Sequence, residues 1–166
     1  MCWPMWTGEP MPMLTVQERH EIHAELAAAP TKRSVASDVL KIVQRHHGWV
    51  CDEAVKDVAE LLDMTPAELD GVATFYNGIY RRPVGRHVIL ICDSISCWIM
   101  GYHPIRERLQ SRLGIGLGET TADGRFTLLP TACLGMCEQA PAMMIDETMH
   151  GNLTPEKVDE ILEQYE

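Results

Sequence analysis

Six cysteines occur in the 166 residues, and four of them fall into two close pairs. Cys92 and Cys97 bracket four residues in CDSISC, and Cys133 and Cys137 bracket three in CLGMC. Soft thiolates suit iron held with sulfide, and neither the carboxylates nor the histidines nearby replace all four. A 2Fe-2S cluster asks for four such donors, two on each iron. Three other chemistries compete for the same residues. Structural zinc also takes four thiolates, but its loops usually begin with a tight C-x2-C knuckle, which this chain lacks. A disulfide framework suits small exported chains, whereas this one is long enough to bury a core without staples. Thioredoxin-like thiol exchange wants a C-x-x-C motif, also absent. The favoured reading is one 2Fe-2S centre on Cys92, Cys97, Cys133 and Cys137, and zinc stays open beside it.

The elements around the pairs must bring them together. Cys92 follows Val88-Ile89-Leu90-Ile91 and the second pair follows Phe126-Thr127-Leu128-Leu129, two apolar runs that read as strands. Cys92 is expected at a strand end, Cys97 on the loop after it, and the second pair on a loop of the same design. Gly135 lets that loop take a positive φ and turn amides toward sulfur, while Pro130 and Pro141 limit its freedom. Between the pairs, Tyr102 to Leu113 repeats Ile105, Leu109 and Leu113 at helical spacing. The three glycines of Gly114-Ile115-Gly116-Leu117-Gly118 follow a helix rather than joining a strand to one, so they form a turn and not a phosphate loop. A strand over 142–146 and a helix opened by Thr154-Pro155-Glu156 complete a β-α-β-β-α order, a mixed sheet covered by helices.

The first half is helical. Residues 1–14, with Pro, Gly and no period, read as a flexible tail. Thr15 with Glu18 forms a capping box for a helix whose stripe is Ile22, Leu26 and Ala29. A second helix starts at Ser34 with Val35, Val39, Ile42 and Val43 on one face and Gly48 as its stop. A third runs from about Asp52 to Asp63, and Thr65-Pro66 with Glu68 opens a fourth. The fourth ends in Phe75-Tyr76, both read as core residues of the bundle, the alternative being that one packs inside and the other on the next domain or a partner. Arg81-Arg82-Pro83-Val84-Gly85 breaks the pattern as a linker, its arginines a solvated pair. The domains are thus 1–14 tail, 15–80 helical bundle and 86–166 cluster domain. Cys51 reads as a small buried hydrophobe and Cys2 as a terminal thiol.

Charge and hydropathy exclude several classes. A net charge of −10 argues against a nucleic acid partner. No apolar run reaches the length of a membrane helix, and the Pro-broken start without a basic residue before Arg19 is no signal peptide. The seven histidines are scattered at 20, 23, 46, 47, 87, 103 and 150 and read as surface or helix-end residues, so no catalytic constellation accompanies the thiols.

CDSISC and TLLPTACLGMCEQAPAMMID, with GVATFYNGIYRRPVGRHVILIC upstream and NLTPEKV downstream, resemble the small 2Fe-2S subunit of respiratory complex I, the E-type subunit of bacterial NADH:quinone oxidoreductase. The resemblance runs over residues 15–166 and fills all four cysteine positions, while MCWPMWTGEPMPM matches no feature of that family. It implies an α/β (α+β) chain, an N-terminal helical bundle followed by a thioredoxin-like 2Fe-2S ferredoxin domain. It also implies an electron-transfer subunit of a proton-translocating enzyme with no substrate site of its own. FMN and NAD(H) would belong to a partner flavin/NADH-binding subunit, beside neighbouring peripheral-arm subunits on the cytoplasmic side of the bacterial inner membrane, without direct membrane insertion. The alternatives are a diaphorase subunit of an NAD-linked hydrogenase or formate dehydrogenase, or a free-standing thioredoxin-like 2Fe-2S ferredoxin. Asp-Ser-Ile-Ser in the first loop, where the family often has Thr and Pro, leaves ligation intact but alters hydrogen bonding to sulfur.

Four thiolates make reduction costly, Asp93 and Glu138 add negative charge if they face the centre, and neither ligand loop holds Lys or Arg. A low midpoint, on the order of −400 mV as in plant-type ferredoxins, is expected from a redox titration. A positive midpoint would contradict it.

Overall fold

The computed structural model describes residues 14–165, so Cys2 and the expected tail up to residue 13 lie outside the described residues. Two compact units make up the chain, Met1–Pro83 and Val84–Glu166. In the first, helices α1 (Val16–Ala28), α2 (Ala36–His47), α3 (Asp52–Leu61) and α4 (Pro66–Phe75) pack around Ile22, Val39, Leu40, Val43, Val58, Leu62 and Leu69, all buried. Leu14 and Cys51 join this core. Each such side chain contributes about 1.5–3 kcal/mol by leaving water. The helix starts agree with the capping residues, since Thr15 with Glu18 and Thr65 with Glu68 both form complete capping boxes. The second helix differs: Thr31 caps a 3-10 turn over Lys32–Val35 by accepting from the Ser34 amide, and α2 follows from Ala36.

Two further expectations for this unit are corrected. Phe75 and Tyr76 are not core residues; they are 77% and 47% exposed and meet edge to face with ring centres 5.2 Å apart. Tyr76 has extended backbone and ends the helix, so only Val72 and Ala73 of this segment face inward. Arg81 is no solvated arginine. Its guanidinium donates to Asp70 at 2.7 Å, to Asp52 at 2.6 Å and to the Val50 carbonyl, tying the start of α3 and the chain after α4 together.

The second unit is a five-stranded mixed sheet in the order β2-β3-β1-β4-β5. Its strands are β1 (His87–Cys92), β2 (Glu119–Thr120), β3 (Phe126–Thr131), β4 (Met143–Ile145) and β5 (Thr148–His150). Helices α5 (Ile95–Met100) and α6 (Tyr102–Leu113) connect β1 toward β3, and α7 (Pro155–Leu162) follows β5. The central pair β1/β3 is parallel and β1/β4 antiparallel. Ile89, Ile91, Leu128, Met143 and Ile145 from the sheet meet Ile105, Leu109, Val158 and Leu162 from α6 and α7. The mixed, helix-covered sheet read from the sequence is therefore present, with two additions. Strands β2 and β5 hold two and three residues, too few for alternation to register. Cys97 is not on a loop: it lies on α5, a six-residue helix between Ser94 and Gly101.

One polar contact anchors α1. The Glu18 side chain is fully buried; it accepts from the Thr15 amide at 2.7 Å and lies 2.7 Å from His47 Nε2 on α2. Burial pushes its carboxyl up, and the Thr15 hydroxyl and amide with His47 more than offset this, leaving it below its ordinary value. A carboxyl depressed in the folded state stabilises above its unfolded pKa and loses that contribution as pH falls. Replacement E18A is expected to cost about 2–3 kcal/mol near neutral pH, because it removes a buried, hydrogen-bonded side chain and strips the Thr15 amide and His47 of their acceptor. Urea unfolding followed by helical circular dichroism at pH 7 and pH 4 checks this, the E18A chain losing less on acidification than the parent.

Candidate metal centre

The parallel register of β1 and β3 sets Cys92 opposite Thr131, so both strands end together and both cysteine-bearing segments leave the same end of the sheet. Two backbone bonds pin that end: the Cys92 amide donates to the Ala142 carbonyl at 3.1 Å, and the Asp93 amide to the Thr131 carbonyl at 3.0 Å. Beyond Cys92, the chain turns at Ser94 into α5, which aims Cys97 back toward the sheet. Cys92 is 3% and Cys97 1% exposed, and they pack with Ala140 and Ala142 under half-buried Leu134 and Met136.

Beyond Thr131, Cys133 is exposed and accepts from the Gly135 amide at 3.3 Å. Gly135 has φ +76°, the left-handed conformation expected of it. Cys137 is exposed too and begins a one-turn 3-10 helix over Cys137–Gln139. That turn is braced from the chain after β5: a Cβ at Gly151 would stand 2.6 Å from the Gln139 Cβ, and the adjacent Asn152 amide donates to the Gln139 carbonyl. The chain there approaches so closely that a larger residue would displace the turn carrying Cys137.

Burial raises the Cys97 thiol most, and the hydrogen bond it donates to the Cys92 sulfur and the charges of Cys92 and Cys137 raise it further, to about 11. The Ala142 amide, bonded to the same sulfur, opposes them. Thus Cys92 and Cys97 touch, Cys137 lies within their electrostatic reach, and Cys133 sits on the same loop as Cys137. Among the described residues no group of three or more His, Cys, Asp or Glu forms a site for a single metal ion. Asp93 and Glu138 are both exposed, where solvent screens their charge. The expected low potential would therefore rest on the four candidate thiolates alone.

Of the histidines, His103 packs edge to face on Trp98 of α5, with ring centres 5.9 Å apart, and others lie away from the thiols. His87 pairs with Asp146 at 2.7 Å at the opposite end of β1, and His46 and His47 meet Glu21 and Glu18 at the end of α2. What the sequence reading missed is α5. Its apolar side chains Ile95, Trp98, Ile99 and Met100 are 66%, 52%, 69% and 61% exposed. The signal was local: a capping-type Ser94 and a helix-stopping Gly101 enclose Ile95-Ser96-Cys97-Trp98-Ile99-Met100.

Residues 22–166 match the family described as thioredoxin-like 2Fe-2S ferredoxin. The chain belongs to that family. It is similar to the E subunit of the NADH-quinone oxidoreductase of Pseudomonas aeruginosa, 48% identical over 92% of each chain. The E subunit from Escherichia coli is 49% identical, again over 92% of both. Among solved structures, an NAD+-reducing NiFe hydrogenase in the H2-reduced state matches at TM-score 0.60 and 26% identity over 69% of this chain. There the similarity spans only 19% of the hydrogenase chain. Membership fixes the fold expected of the cluster domain, and the helices of the first unit precede it as anticipated. No helix among the described residues is long and apolar enough to cross a membrane.

Proposed function

We propose that Cys92, Cys97, Cys133 and Cys137 hold one 2Fe-2S cluster and that the chain is the small electron-transfer subunit, of the E type, in an NADH-quinone oxidoreductase. The observation that carries this reading is the convergence of two cysteine pairs at one end of the β1/β3 pair, with Cys92 and Cys97 in contact in an apolar pocket. The donor set fits the group. All four donors are sulfur and none is in a disulfide, they come two by two as a dinuclear centre needs, and backbone amides reach two of the sulfurs. Once bound, the cluster supplies a one-electron couple. The protein's part is positional and electrostatic. Cys92 and Cys97 are held out of water, the Gly135 and Ala142 amides ease negative charge on Cys133 and Cys97, and Leu134 and Met136 cover the inner pair.

Identity of nearly half over 92% of both chains supports the quinone-oxidoreductase assignment. The lower identity to the hydrogenase supports an NAD-linked hydrogenase diaphorase only as a related assembly. In this reading the electron passes between the cluster and FMN on a partner flavin/NADH-binding subunit, in a peripheral arm on the cytoplasmic side of the inner membrane. The exposed apolar face of α5 is the surface on which that partner docks. It is carried by the same six residues as Cys97, and electron transfer needs a short path. A helical domain over 15–80 ahead of a cluster domain over 86–166 suits a subunit better than a free carrier, which needs little beyond the cluster.

Serine at any of the four positions is expected to abolish or alter the paramagnetic signal of the reduced chain, while C51S leaves it unchanged. The double variant W98D/I99D is expected to keep that signal but weaken copurification with the flavin subunit by at least about 30-fold, the roughly 2 kcal/mol of one hot-spot residue. An unaltered signal in any of the four serine variants contradicts the ligand set, and full copurification of W98D/I99D contradicts the docking face.

A further inference from the structure

The four cysteines are equivalent as donors but not as targets. Protein atoms leave Cys92 and Cys97 only 3% and 1% exposed, whereas Cys133 and Cys137 are open to solvent. The covering is specific: Leu134 and Met136, the residues on either side of Gly135, pack against the inner pair together with Ala140 and Ala142. The loop that presents the outer thiols to solvent is therefore the same loop that closes over the inner ones.

Resting on the ligand assignment above, we propose that the chain takes up its cluster from the outside inward. A preassembled 2Fe-2S unit held by thiolates of a donor arrives at Cys133 and Cys137, which displace two donor thiolates from one iron. Cys92 and Cys97 displace the other two only afterwards. Exchange at iron requires the incoming sulfur to come within bonding distance of the metal. A cluster still carried by its donor can bring iron to an exposed thiol, and it cannot bring it to one covered on all sides. In each exchange one iron–sulfur bond to the donor breaks and one to the chain forms. The cysteine thiol gives up its proton and the departing donor thiolate takes one, so both irons keep their oxidation states and no electron moves.

The geometry favours the hand-over as well. Cys133 and Cys137 share one short loop whose middle residue, Gly135, adopts φ +76° and points its amide at the Cys133 sulfur. The same amide remains placed to donate to that sulfur once it is bound to iron. Cys92 is fixed at a strand end and Cys97 on a helix, so the inner pair is the rigid seat and the outer pair the receiving side.

The test uses the cluster-free full chain, mixed anaerobically with a glutathione-ligated 2Fe-2S cluster and followed by visible circular dichroism and native mass spectrometry. The parent chain is expected to lose all donor glutathione and end with a cluster held by protein alone. The C92S/C97S chain is expected to capture the cluster at the parent's rate and stop with glutathione still attached. In the C133S/C137S chain, capture is expected to be lost. Single variants C92S, C97S, C133S and C137S repeat the comparison with less disturbance, and far-ultraviolet circular dichroism confirms that each is folded. Equal capture by both double variants, or loss of capture in C92S/C97S with retention in C133S/C137S, overturns the order. A parent chain that takes up no cluster overturns the ligand assignment together with the order built on it.

Discussion

Parallel pairing of β1 with β3 is the constraint from which the rest of the cluster domain follows. Antiparallel neighbours joined by a tight turn would send the segments after Cys92 and Thr131 to opposite ends of the sheet. Parallel neighbours in register, Cys92 against Thr131, send both to the same end. That geometry demands a long crossover between the strands, and α5 and α6 supply it. The apolar faces of α6 and α7 against Ile89, Ile91, Leu128 and Ile145 then keep the two strands paired. Burial of these side chains, each worth about 1.5–3 kcal/mol, keeps the two strand ends, and the cysteine segments that follow them, side by side.

The same arrangement divides labour between the two ligand segments. The first is rigid, a strand end and a helix that bury Cys92 and Cys97. The second is a surface loop, turned at Gly135 and braced at Gln139 by Gly151 and Asn152, which leaves Cys133 and Cys137 toward solvent. For the proposed cluster, the buried pair would shield it from water and the open pair would give access to it. The exposed apolar side of α5 adds a third element, since it links the most buried thiol to a surface suited to protein contact. The first unit contributes a bundle held by its own core, with the Glu18–His47 contact and the Arg81 ties joining its helices.

Much of this was legible in the sequence, for physical reasons. The four thiols stood out because few other chemistries use cysteines at those spacings. Apolar runs ahead of each pair named β1 and β3, and Thr15, Thr65 and Thr154 named three helix starts through the cap each one makes. What escaped has equally physical causes. Helix α5 is shorter than two turns, so no periodicity builds up in it. Phe75 and Tyr76 look like core by residue type, and only their place at the end of α4 sets them outside. Arg81 reads as a surface charge because Asp52 and Asp70 lie far from it in sequence. The burial of Glu18 also depends on a helix packed from elsewhere in the chain, and local pattern shows only its capping role.

Whether the four cysteines bind a 2Fe-2S cluster is read most plainly from the composition of the chain itself. Anaerobic purification followed by iron and sulfide analysis, with electron paramagnetic resonance before and after dithionite, is decisive. The expected result is about two irons and two sulfides per chain and a signal that appears only on reduction. One zinc per chain, no sulfide and no signal in either state would contradict it.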